Sequence, residues 1–238
     1  MKKVLHVIGA TVLLVAIAAG CTATEEAAVK LDDPKKRISY TIGLNIGRDF
    51  ATQEIDVDTA ALLAGVRDGL GGAKQRLTDE EMLTEVKSFR EAMEAKQEAK
   101  YLALATKNRS EGEAFLAANA KAAGVVVRDS GLQYKVLKEG TGPMPQADSV
   151  VSVHYRGTLI DGTEFDSSYE RNEPLLLPVG GVIPGWTEAL TLMKEGSKWQ
   201  LFIPAELAYG EEGAPPVIGP NATLLFEIEL LSAAAKRE

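Results

Sequence analysis

The chain is predicted to be an α+β protein: an N-terminal helical module with one long connecting helix, then a curved antiparallel sheet wrapped on a short helix. Three observations carry that expectation. None of the ten prolines falls between Pro34 and Pro143, so a helix-compatible half precedes a turn-rich half. From Ser130 onward the apolar residues recur with a strand-like period of two rather than a helical one. Finally, Val182-Ile183-Pro184-Gly185-Trp186 runs two β-branched residues into a proline at a first helical position, opening a short helix whose start buries Trp186. The composition, 45% hydrophobic and 25% charged, is that of an ordinary globular protein, and a net charge of -8 argues against a nucleic-acid partner.

Residues 1–20 read as an export signal. Met1-Lys2-Lys3 gives a positive start, and the apolar run over residues 4–19 is shorter than the ~20 residues a membrane-spanning helix needs. The run ends in Ala18-Ala19-Gly20-Cys21, which resembles the lipobox of bacterial lipoproteins. That likeness implies acylation of Cys21, which would become the mature N-terminus, with Thr22 after it favouring the outer membrane, facing the periplasm. A plain cleaved signal with an incidental cysteine is the alternative. With 1 Cys in the chain no intramolecular disulfide can form. Residues 21–34 are expected to be a tether.

Residues 35–77 are expected to form a helical dimerisation domain. Ile38, Ile42, Ile46 and Phe50 recur every fourth residue beside a Gly43/Gly47 stripe that admits a close partner. Asp58 can cap a second helix with Leu62, Val66 and Leu70 on one face, ending near Gly69 to Gly72. Neither short helix can bury its stripe alone. Over residues 78–123 a long helix is expected, opened by a Thr78/Glu81 capping box. Its Met82, Val86, Phe89 and Met93 have coiled-coil-like spacing, and at ~1.5 Å per residue it would be roughly 65 Å long. Gly112 is a place for a kink, and Phe115 and Leu116 are expected to dock its far end on the second domain. An intramolecular three-helix bundle and a dimer both suit these stripes.

Residues 124–238 carry the strands. Alternation marks residues 132–137 and 149–159, residues 198–203 form a short apolar strand, and Leu224, Phe226, Ile228 and Leu230 share one face of the last strand. A single helix from Gly185 to Met193, packed in the concave face of the sheet, buries Trp186 against Phe226 most economically. Around Trp186 gather Tyr155, Phe165, Tyr209, Val217, Ile218 and Phe226, with Asp166 as a lone carboxylate. Such an apolar bowl suits a hydrophobic core as well as a binding pocket. Beyond the signal the single histidine, His154, lies on the Ser152/Arg156 face of its strand, opposite Val151, Val153 and Tyr155. A His/Cys zinc site and a Ser-His-Asp or Cys-His nucleophile therefore lack their residues, and neither cofactor nor metal is expected.

Two further strings bear on the bowl: Phe165-Asp166-Ser167-Ser168 and Leu207-Ala208-Tyr209-Gly210, in that order around the Val182 to Trp186 turn. With them the sequence resembles an FKBP-type peptidyl-prolyl isomerase from about Gly131 to Leu231. Residues 39–48 and 112–125 are similar to the dimerisation module of the macrophage infectivity potentiator type of that family. The resemblance implies the FKBP fold, a V-shaped homodimer, proline-containing unfolded or peptide substrates, and macrolide inhibitors as possible ligands.

Carried over residue by residue, the resemblance makes Trp186 the floor under a prolyl ring and Tyr155, Phe165 and Phe226 the walls. The Ile183 amide and the Tyr209 hydroxyl would hold peptide carbonyls, with Arg171, Val182, Val217 and Ile218 contacting substrate. Asp166 would polarise the twisting carbonyl, a role compatible with a structural ion pair to Arg171. Leu175 and Leu177 stand where relatives often carry an aromatic and Ala214 where some carry His, positions that bear on preference for the residue before proline and on macrolide affinity. A periplasmic isomerase assisting exported proteins is the expected function. A holdase whose dimer cradles unfolded chains, with isomerisation incidental, is the alternative.

Overall fold

The computed structural model describes residues 29–234, so the expected signal, Cys21 and most of the tether lie outside the described residues. The chain divides between Leu77 and Thr78 into two compact units. In the first, α1 (Pro34–Thr52) starts on the Asp33 carboxylate, which accepts the Lys36 N–H at 2.9 Å, with proline in its first turn. Helix α2 (Thr59–Gly71) starts likewise on Asp58, which accepts the Ala61 N–H at 2.8 Å, and stops at Gly72 in the left-handed conformation. No residue of either helix is buried, and Ile38, Ile42, Leu62 and Val66 stand exposed.

The second unit opens with α3 (Asp79–Asn119), whose capping box pairs the Thr78 N–H with Glu81 Oε2 at 2.7 Å and the Glu81 N–H with Thr78 Oγ1 at 3.2 Å. It ends a few residues before the expected limit and runs unbroken through Gly112. That glycine allows close approach rather than marking a break: a Cβ there would lie 2.3 Å from Thr223 Oγ1. The far end docks through Phe115, whose ring is 6.0 Å from that of Phe202, and through the Leu116 carbonyl, which accepts from Gln133 Nε2 at 3.0 Å.

The sheet has seven strands: β1 (Val125–Val127), β2 (Gln133–Lys138), β3 (Val150–Leu159), β4 (Glu164–Ser167), β5 (Leu175–Pro178), β6 (Lys198–Ile203) and β7 (Leu224–Ala234). All its pairings are antiparallel, in the order β1-β2-β6-β7-β3-β4, with β5 on the first half of β3. Strands β1, β4 and β5 are additions to those expected. Helix α4 (Pro184–Leu192) packs on the sheet, burying Trp186, Ala189 and Leu190 against Leu201, Ile203 and Ile228. This is the α+β arrangement expected from the sequence.

The seat of α4 is narrow at its start. A Cβ on Gly185 would come within 2.5 Å of Ile203 Cγ2, so the first turn reaches the sheet only because that side chain is absent. Gly185→Ala is therefore expected to destabilise this unit by about 1–3 kcal/mol through overpacking. The measurement is a urea titration, read as a lower midpoint at unchanged slope. An unchanged midpoint would mean that Ile203 yields freely.

Candidate active site

The first turn of α4 places the base of the site. Ile183 is its N-cap, outside the helical conformation at φ -56° and ψ 144°, and its carbonyl accepts the Trp186 and Thr187 N–H groups at 2.9 and 3.1 Å. Pro184 follows at the first helical position, where its missing N–H costs nothing. Trp186 is thereby swung inward and is 5% exposed. Tyr155 and Phe226 meet its indole edge-on, with centroids at 5.2 and 5.1 Å and planes at 82° and 83°; Phe165 meets Phe226 likewise at 5.5 Å and 85°. Such edge-to-face pairs are worth ~0.5–1.5 kcal/mol each beyond area burial. The indole Nε1 is buried without a hydrogen-bond partner.

Sheet register makes room for these rings. Gly157 on β3 is paired with Asp166 of β4 on one side and Phe226 of β7 on the other. A Cβ there would sit 2.6 Å from the Phe165 ring and 2.8 Å from that of Phe226. The result is an open cavity of about 530 Å³ lined by Tyr155, Phe165, Asp166, Val182, Ile183, Trp186, Tyr209, Ile218 and Phe226, together with Leu175, Leu177 and Gly181.

One charged cluster stands at this cavity. The Tyr155 hydroxyl donates to Asp166 Oδ2, while Arg171 donates through Nη1 to Asp166 Oδ1 at 2.5 Å and through Nη2 to the Tyr155 oxygen at 2.8 Å. Burial pushes the Asp166 carboxyl upward, but the Tyr155 and Arg171 hydrogen bonds outweigh it and hold the group below its ordinary range. Burial, then the bond to Asp166, raises the Tyr155 phenol. The bond to Asp166 also raises Arg171. Around neutral pH the cluster is thus a fixed carboxylate, phenol and guanidinium.

Two residues singled out from the sequence lie elsewhere. Arg171 does not line the cavity and acts on it through Asp166 and Tyr155. Val217 faces a second cavity, of about 250 Å³, beside Leu104 and Lys107 of α3 and Asp161. The reason is local: Ala214 and Ile218 bridge in an extended pairing, so consecutive side chains point apart, Ile218 inward and Val217 outward. His154 lies outside the cavity, its Nδ1 2.9 Å from Ser168 Oγ and its ring stacked on Tyr169 at 4.8 Å. Gly181 is a lining residue that sequence reasoning missed, and no pattern marks it. Leu175 and Leu177 enter as alternate residues of β5 around the exposed Leu176, a period-two signal too short to stand out.

Residues 142–231 match the family model described as FKBP-type peptidyl-prolyl cis-trans isomerase, and residues 35–136 match the domain amino terminal to FKBP-type peptidyl-prolyl isomerase. The chain is 42% identical over 228 residues to the outer membrane protein MIP of Legionella longbeachae, covering 96% of this chain and 97% of that one. It is 44% identical over 201 residues to the FKBP-type 22 kDa peptidyl-prolyl cis-trans isomerase of Escherichia coli K12, covering 84% of this chain and 96% of that one. The crystal structure of FkpA from Escherichia coli superposes with a TM-score of 0.73 at 38% identity, covering 87% of this chain and all of that one.

The charged cluster makes a pH prediction with a definite sign. Because the folded Asp166 pKa lies below its unfolded value, the stability it contributes is complete above the unfolded value and is lost as pH falls through the folded one. Carbon-detected NMR titration of the carboxyl is expected to show a midpoint below the ordinary ~3.9, moved upward in Arg171→Leu. A midpoint unaffected by Arg171→Leu would dissolve the cluster as an electrostatic unit.

Proposed function

This chain belongs to the family of FKBP-type peptidyl-prolyl cis-trans isomerases, and on that premise we propose that the cavity over Trp186 is where it turns X-Pro bonds. The observation that carries the assignment is the ring of edge-on aromatics around one buried indole, with an ionised carboxylate beside it. Rotation about an X-Pro bond crosses a barrier of ~18–20 kcal/mol set by amide resonance, and no covalent bond is made or broken. A planar amide is strongly dipolar and well solvated, whereas the twisted amide is less so. An apolar cavity therefore disfavours the planar state more, and each ~1.4 kcal/mol of that difference is tenfold in rate.

Each lining residue has a part in this reading. Trp186 lies under the prolyl ring, with Tyr155, Phe165 and Phe226 as walls and Val182 and Ile218 at the sides. The Ile183 amide and the Tyr209 hydroxyl hold peptide carbonyls. Asp166, oriented by Tyr155 and Arg171, presents a fixed negative charge to the twisting carbonyl carbon, a preorganised dipole of the kind that needs no reorganisation during reaction. The same cavity is the place for macrolide inhibitors. No group on the chain has to give or take a proton.

The exposed faces of α1 and α2 support a homodimer. Short helices with no buried residue gain little from propensity alone, and a second copy would cover Ile38, Ile42, Leu62 and Val66. Residues 35–77 are thus the dimerisation domain, 78–123 the connecting helix and 124–238 the isomerase domain. The lipobox-like residues before Cys21 and the likeness to an outer membrane protein support a periplasmic enzyme anchored by a lipid on Cys21 and acting on exported chains. Client holding follows from such a dimer only as a secondary property, because the apolar stripe is taken up by the partner copy.

The isomerase rate is expected to be nearly flat between about pH 6 and 8, where the carboxylate is already ionised. Asp166→Leu should lower kcat/KM by less than the ~10²–10⁴-fold that loss of general acid–base catalysis costs, while Tyr209→Phe and Phe226→Ala each reduce it. Peptide isomerisation assays across that range are the check. A bell-shaped profile together with inactivity of Asp166→Leu would put a titrating group at the centre instead.

The mature chain should sediment as a dimer, and Ile42→Glu should shift it toward monomer. Concentration-independent monomer behaviour of the unsubstituted chain would remove the dimer.

A further inference from the structure

Between β6 and β7, residues 204–223 form a long loop that supplies Tyr209 and Ile218 to the cavity. Several backbone bonds tie the loop to itself, among them Gly210 N–H to the Ala205 carbonyl at 2.9 Å and Gly213 N–H to the Tyr209 carbonyl at 3.2 Å. Ala214 and Ile218 exchange N–H···O bonds of 2.8 and 3.1 Å, and the Asn221 N–H donates to the Gly210 carbonyl, next to Tyr209, at 2.8 Å. Those bonds fix its internal shape but not its position over the indole.

Further ties come from α3, more than a hundred residues away in sequence. The Asn108 amide donates to the Pro220 carbonyl at 2.8 Å, two residues beyond Ile218. Asn221, held in a left-handed conformation, donates its side-chain amide to the Ala105 carbonyl at 3.4 Å, and the Tyr101 hydroxyl donates to the Glu211 carbonyl. The approach is tight here as well as at Gly112, since a Cβ on Gly219 would stand 3.0 Å from Asn108 Nδ2. Helix α3 is itself fastened to the sheet farther along by Phe115 and by Gln133, which accepts from Asn119 Nδ2 at 2.9 Å. The helix is thus a fixed frame against which the loop is held.

We propose that α3 positions the loop wall of the isomerase cavity, with Asn108 as a positioning residue that, through the Pro220 carbonyl, helps set where Ile218 and Tyr209 stand. Asn108 does not line that cavity, so it acts through the loop alone. The proposal rests on the assignment of that cavity as the isomerase site. With the amide removed, the loop keeps its internal bonds and its ties to α3 through Tyr101 and Asn221 but is released at Pro220, two residues beyond Ile218, and the space offered to the residue before proline changes. The consequence belongs to substrate choice as much as to rate.

The test uses the full chain and two peptides that differ only in the residue before proline. Asn108→Ala, and Asn108→Asp, which keeps the shape but sets a carboxylate against the Pro220 carbonyl, should each lower kcat/KM about three- to tenfold, the span of one lost neutral hydrogen bond. Both should also shift the ratio between the peptides. Lys107→Ala, which removes an exposed pairing with Glu111 at 4.0 Å on the same helix and an electrostatic pull on exposed Asp161 but no bond to the loop, should leave both rate and ratio within twofold. Urea titrations run beside the kinetics report stability separately. Lower stability with the unsubstituted rate and peptide ratio in both Asn108 variants would overturn the proposal and leave Asn108 a structural residue. Trp186→Ala in the same assay reports on the cavity assignment itself: full activity there would overturn that assignment whatever the Asn108 variants do.

Discussion

Burial of one indole governs the architecture of the sheet-bearing unit. Trp186 can sit beneath the cavity only if α4 begins where it does and the first turn of that helix touches the sheet without a side chain at Gly185. It also requires β3 to carry no side chain at Gly157, where Phe165 and Phe226 converge. Three rings then meet the indole or one another edge-on instead of filling the space between α4 and the sheet, and that space remains open. The cavity is a by-product of packing that stops short of completion, so its walls are also core residues. A substitution in the walls therefore alters fold stability and cavity shape together.

The polar part of the site follows from the same layout. The β3–β4 register puts Asp166 beside Gly157, and Tyr155 lies two residues earlier on β3, so hydroxyl and carboxylate meet at one end of the bowl. Arg171, on the segment after β4, bonds both. A lone carboxylate in an apolar setting would be driven toward its neutral form, and the two donors reverse that tendency. Electrostatics here is a local correction that allows a charge to remain at an apolar cavity.

Much of this was legible in the residues, and the misses have identifiable causes. Pro184 after two β-branched residues announces α4, and alternation in residues 149–159 and 223–231 announces the two longest strands and their buried faces. Strands β1, β4 and β5 hold three or four residues each, too few for a period to declare itself, and β5 is bounded by prolines. Val217 was grouped with its neighbour Ile218 although adjacent residues of an extended pairing cannot share a face. The contacts between α3 and the 204–223 loop were out of reach for another reason. They join polar side chains to backbone carbonyls more than a hundred positions away, such as Asn108 to that of Pro220, and an asparagine in a helix carries no mark of the carbonyl it will meet. Phe115 and Leu116, by contrast, interrupt a polar stretch with apolar bulk, and that bulk does dock.

The pairing of Asp166 with Arg171 also bears on which chains such a cavity can admit. Its single negative charge is matched by an adjacent guanidinium, so the pair adds no net charge at the cavity while leaving an oriented local dipole there. Discrimination then falls to steric fit around the proline and the side chain before it. A cavity whose one charged pair sums to zero leaves apolar contact and shape as the main features that differ from one arriving segment to the next.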